Sequence, residues 1–187
     1  MEEKEIWYNP ENTSKLSEAD AKFIFEQAEK QLKETSDVAA TVVTRTTTLC
    51  TVVAAVLIGL IGFTISKIDT LPLTNKILLT CYIGIAYLLI LVIHLANNLK
   101  GKAYYIIGGE PKSLFIDTFL ETEESQRMTR FYFNEFVEYQ KRISINKATN
   151  IERWRLYHKC VNAVAYLPAG LIVIYLLLSL FTACSCS

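Results

Sequence analysis

The chain has 187 residues, 51% of them hydrophobic, with 19 Lys+Arg balanced by 19 Asp+Glu. That length suits one domain with at most a small appendage. A neutral net charge offers no field to gather a polyanion, which excludes the usual route to nucleic acid; seven Gly and four Pro exclude a linker-rich or collagen-like chain.

The apolar residues are concentrated in a few runs. They predict an all-α membrane protein: three transmembrane helices, an N-terminal amphipathic helix, and a helical cytoplasmic segment between the second and third spans.

In chain order, the first element predicted is the amphipathic helix of an N-terminal cytoplasmic segment, residues 1–37. Ser17 and Asp20 make a capping-box start, with Leu16 as its staple. Ala21, Ile24, Phe25, Ala28 and Leu32 recur at helical spacing, opposite Lys22, Glu26, Lys30 and Lys33. Packing on the rest of the cytoplasmic portion suits this helix better than lying on lipid. Glu18, Asp20, Glu26, Glu29 and Glu34 would be repelled by anionic headgroups. Thr35-Ser36-Asp37 predicts a break, with Asp37 capping a helix that continues into the first span.

A transmembrane hairpin is predicted over 38–99, with spans at about 46–66 and 77–97. From Leu49 to Ile65 there is no charge, and from Ile77 to Leu99 only His94 titrates apart from Cys and Tyr. A third span is predicted over 161–183, followed by an external tail, 184–187. Each run reaches about 30 Å as a helix, enough to cross the hydrocarbon core. As buried helices of a soluble protein, three such runs would leave too few polar residues to cover them. The largely polar residues 1–48 argue against a signal peptide.

The basic residues give the orientation. Six precede residue 49, eleven lie within 100–160, and the connection between the first two spans holds only Lys67 and Lys76. This places the N-terminus and the long connection in the cytoplasm and the C-terminus outside. Of five cysteines, Cys50 and Cys81 read as small fillers within spans, and Cys160 lies at the cytoplasmic end of the third. Cys184 and Cys186 are the pair on the oxidising side, read either as an intersubunit bridge or as an uninformative tail. No cysteine spacing suits zinc, and two histidines predict no metal centre.

Within the cytoplasmic segment 100–160, Tyr104 to Ile107 predicts a short extended piece, ended by a turn at Gly108-Gly109-Glu110-Pro111. A short helix is predicted over 113–120. From about Thr122 a helix can run unbroken into the third span, since no Gly or Pro intervenes between Pro111 and Pro168.

The most informative pattern is a stripe at heptad spacing: Tyr132, Phe136, Tyr139, Ile143, Asn146, Asn150, Arg153, Tyr157 and Cys160. It predicts a packing seam in which polar residues take apolar positions, fixing register or oligomer number at a cost in stability. Tyr139, Ile143, Asn146, Asn150 and Arg153 are therefore the candidates for oligomer register. Two other readings stand beside this one: a neighbouring helix of the same subunit covers the seam, or Asn146, Asn150 and Arg153 form a ligand pocket.

Thr41, Thr44, Thr48 and Thr51 share one helical face, continued by Ala55, Gly59 and Gly62. Such faces allow close helix approach in lipid; repeated around a ring they would line a hydrated path. The pore-lining candidates are Thr41, Thr44, Arg45, Thr48 and Thr51, with Arg45 either a positive collar or a side chain snorkelling to headgroups. The second span carries Thr80, Gly84, Tyr87, His94 and Asn98 in a stripe, with His94 read as a proton sensor or a hydrogen-bonded interfacial histidine. Pro168, followed by Gly170, predicts a kink in the third span. No constellation supports catalysis, and no cofactor is expected.

The arrangement resembles the small membrane effectors of bacterial anti-phage systems that accompany nucleotide second-messenger synthases, the SLATT type and its relatives. The resemblance rests on a cytoplasmic helix feeding the first span, a short outer turn and a helical cytoplasmic segment. It includes the run Tyr139-Gln140-x-x-Ile143-x-x-Asn146-x-x-x-Asn150-x-x-Arg153. A third span is added here to the two-span pattern. The resemblance implies a homo-oligomer in the bacterial inner membrane that permeabilises it and halts growth of the infected cell, with membrane lipid and a defence-system sensor as partners. Against this stands a non-conducting anchor or sensor holding a soluble partner through its cytoplasmic helices. A transporter is the weakest reading, because no span holds an acidic residue for ion coupling.

Overall fold

The computed structural model describes residues 15–72, 75–100, 104–108 and 121–184, the last three without their side chains. The predicted helix at 113–120, the turn residues 109–111, Cys186 and the side chain of Cys184 lie outside what is described. Regular structure among the described residues is helical: α1 (Glu18–Ile68), α2 (Lys76–Leu99) and α3 (Glu124–Cys184). All three are long and apolar enough to cross a membrane.

The ends of these helices follow from local chemistry. Ser17 Oγ accepts from the Asp20 N–H, satisfying one of the donors that the first turn of α1 leaves open. Asn75 does the same for α2 by accepting from the Ile77 N–H at 2.9 Å. The expected break at Thr35-Ser36-Asp37 does not occur, and α1 runs through it. Thr35 and Ser36 turn their hydroxyls back to the Leu32 carbonyl, at 2.7 and 3.3 Å, instead of capping a new helix. α3 continues for 61 residues, Pro168 included.

Two compact units form, each from two stretches of chain: Met1–Val38 with Ala103–Ala148, and Ala39–Lys102 with Thr149–Ser187. The N-terminal stretch thus groups with 103–148, and residues 149–160 group with the apolar helices.

In the first unit Leu32 of α1 is buried with Tyr139 and Ile143 of α3, and Phe25, Ala28 and Ile107 pack around them. The Phe25 ring lies 5.4 Å from both Tyr132 and Tyr139. Ile24, expected on the same apolar face, lies at its margin and is exposed.

In the second unit Val53 and Leu57 of α1, Leu88, Leu91 and Leu95 of α2, and Cys160 of α3 form the core. Gly84 lets all three helices approach: a Cβ there would meet the side chain of Leu60 at 3.0 Å and that of Leu171 at 3.4 Å. The outward surface is apolar, with Ile58, Ile65, Tyr166 and Phe181 exposed. In water such a surface would be a large liability, and in lipid it is the expected solvent-facing side.

Candidate functional site

The heptad stripe of α3 is buried at Phe136, Tyr139, Ile143, Asn146, Asn150, Arg153 and Cys160 and half-buried at Tyr132 and Tyr157. In the first unit Tyr139 and Ile143 are buried, and Asn146 is 0% exposed. The Asn146 amide is used at both ends. Its Oδ1 accepts from the Tyr105 N–H at 3.1 Å, and its Nδ2 donates to the Tyr105 carbonyl at 2.9 Å and to Thr35 Oγ1 at 3.1 Å. An amide side chain thus replaces a neighbouring strand for residues 104–108, which form no strand themselves. The segment is fastened again at Gly108, whose φ of +86° suits glycine alone. There the Tyr139 hydroxyl accepts from the Gly108 N–H at 3.2 Å, and Arg142 donates to its carbonyl at 2.9 Å.

In the second unit Asn150 and Arg153 are buried, at 5% and 3% exposure. Arg153 donates to the Lys100 carbonyl at 2.9 Å, just beyond the end of α2. Asn98 of α2 donates to Thr46 Oγ1 of α1 and to the Arg153 carbonyl of α3, both at 3.3 Å. One buried amide therefore ties three helices at the end of the spans. Thr46 and Asn98 matter here because each lies on the packed face of its helix. Thr46 stands out from the sequence only as one hydroxyl in a threonine-rich run, and Asn98 only as a member of the α2 stripe.

Thr41, Thr44, Thr48 and Thr51 lie together on the opposite face of α1 and are exposed; Arg45, also exposed, lies at the edge of that face with its guanidinium over the Trp154 ring of α3. Ala55, Gly59, Gly62 and Ser66 extend that face, and a Cβ at either glycine would meet nothing within 4 Å. Thr44, Thr48 and Thr51 each bond the carbonyl four residues back, at 3.0 Å. Satisfied this way, a hydroxyl face can sit in lipid or against another helix without an open donor.

His94 and Pro168 stand apart from both groups. His94 is exposed, with Nδ1 2.9 Å from the Ile90 carbonyl, and Pro168 is exposed on α3. Near Pro168, Tyr87 donates across from α2 to the Ala163 carbonyl at 3.1 Å. The described residues include no group of His, Cys, Asp and Glu that could hold a metal ion. The chain matches no protein-family model, and neither a curated protein nor a solved structure matches it.

Proposed function

We propose that this protein is a homo-oligomeric effector of the bacterial inner membrane that permeabilises it in anti-phage defence, with the threonine face of α1 surrounding the path. The reading takes the N-terminus and residues 100–160 as cytoplasmic, following the distribution of basic residues. One observation carries it: the face of α1 made by Thr44, Thr48, Thr51, Ala55, Gly59 and Gly62 is small, hydroxyl-bearing and exposed among the described residues, while the other face is buried by α2 and α3. Uncovered small faces are where helices approach closely in lipid. A ring built on this one would present threonine hydroxyls inward.

The test is potassium efflux and dye entry on expression in cells. Thr48→Leu and Thr51→Leu are expected to reduce leakage about tenfold with expression intact. Unchanged leakage in both would take these residues out of the path.

A second reading, a non-conducting anchor for a soluble sensor or partner protein, draws on the first unit. A groove of about 490 Å³ there is lined by Ile24, Gln27, Gln31, Phe136 and Gln140. An anchor causes neither efflux nor dye entry.

A further inference from the structure

The end of the second unit that carries Arg45 is strongly and asymmetrically basic. Arg45 and Lys100 are exposed there, as are Arg155, His158 and Lys159 on the last turns of α3 before its apolar run; Glu152 is the exposed acid among them. At the other end of the spans Lys67 and Lys76 stand against Asp69.

The basic end has built geometry. The Arg45 guanidinium lies 5.3 Å from the centre of the Trp154 ring. The His158 ring stacks on Trp154 at 5.3 Å and 22°, and Tyr157 meets it edge-on at 5.5 Å. A guanidinium held by an aromatic face uses none of its N–H groups there, so its edge stays available for a two-pronged bond to a phosphate. Arg155 and Lys159 lie one helical turn apart, on the flank of the Trp154–His158 row. Asn162 follows one turn on, and the same side of α3 then becomes apolar at Ala165 and Tyr166, the tyrosine 73% exposed. Cations and aromatic rings thus share one level of α3, and bare apolar surface follows within about 18 Å, as headgroup and acyl chain follow one another in a bilayer leaflet.

We infer that this end of the second unit is a binding site for an anionic phospholipid, with Arg45 on its Trp154 platform, Arg155 and Lys159 holding the headgroup phosphodiester. The inference uses the membrane placement of the three helices and is independent of whether the protein conducts.

Trp154 is its own reporter. The sequence has one other tryptophan, Trp7, so a Trp7→Phe chain reports from the site alone. This chain is reconstituted in phosphatidylcholine vesicles carrying either brominated phosphatidylglycerol or brominated phosphatidylcholine at equal mole fraction. Brominated phosphatidylglycerol is expected to quench with about fivefold higher apparent affinity. The combined Arg45→Gln, Arg155→Gln and Lys159→Gln variant loses that preference. Lys67→Gln with Lys76→Gln, at the other end of the spans, keeps it and controls for general charge. Equal quenching by the two lipids, or a preference that survives the triple substitution, overturns the proposal. So does loss of the preference on adding inorganic phosphate at matched ionic strength, which would make a soluble phosphate the ligand.

Discussion

Asn146 is the residue on which the first unit turns. A buried amide that satisfies a backbone N–H and a backbone carbonyl cannot be replaced by a hydrocarbon of similar size without stranding both, and the Thr35 hydroxyl loses a donor as well. Asn146→Leu is expected to destabilise the first unit by about 3 kcal/mol. It should also free the 104–108 segment, seen as faster amide exchange at Tyr105 and Gly108. The same variant separates two roles for the polar seam. If Asn146 also sets oligomer number, particle size in detergent changes with the substitution; if its bonds within the chain are its whole role, size is retained while stability falls.

Glu135, three residues before Glu138 on the same helix, supplies a pH dependence. Burial pushes its carboxyl above the ordinary value of 4.5; Arg142 pulls it back, and Glu138 adds to the rise. Between the ordinary and the raised value the folded chain holds a proton that the unfolded chain has released. The contribution of Glu135 to stability therefore falls as pH rises through that window and is flat above it. Glu135→Gln is expected to remove this slope and to stabilise the first unit at neutral pH, measured by thermal melts at pH 4.5 and 7.

At the scale of the element, three glycines on two helices make opposite predictions. Gly84 on α2 faces Leu60 and Leu171, whereas Gly59 and Gly62 on α1 face open space. Gly84→Leu would wedge the three helices apart and is expected to cost about 2 kcal/mol of helix association, read as a lower melting temperature in detergent. Gly59→Leu and Gly62→Leu leave that temperature unchanged. If the α1 face mediates assembly, they reduce the cross-linked oligomer instead. The unbroken course of α1 through Thr35 and Ser36 belongs to this scale as well. The sequence offers a cap there, yet both hydroxyls have a carbonyl of their own helix within reach and take it.

For the whole molecule, the sidedness assigned from basic residues is testable on intact cells. A membrane-impermeant maleimide applied from outside is expected to label Cys186 and to leave a Lys102→Cys chain unmodified at that position. Labelling at position 102 without labelling of the tail would reverse the orientation, and the proposed mechanism with it.

The three apolar helices were legible from the sequence because lipid imposes a simple rule. A run of about twenty uncharged residues has no alternative that satisfies its backbone there. The stripe at Tyr139, Ile143, Asn146, Asn150 and Arg153 was equally visible, since heptad spacing marks a covered face whatever covers it. What lies against that face was not visible. Only the tertiary structure decided that Asn146 meets the Tyr105 backbone and Thr35, that Arg153 meets Lys100, and that Asn98 joins Thr46 to the Arg153 carbonyl. Those partners are tens of residues apart in sequence, and periodicity records which side of a helix is buried but carries no information about which distant segment buries it.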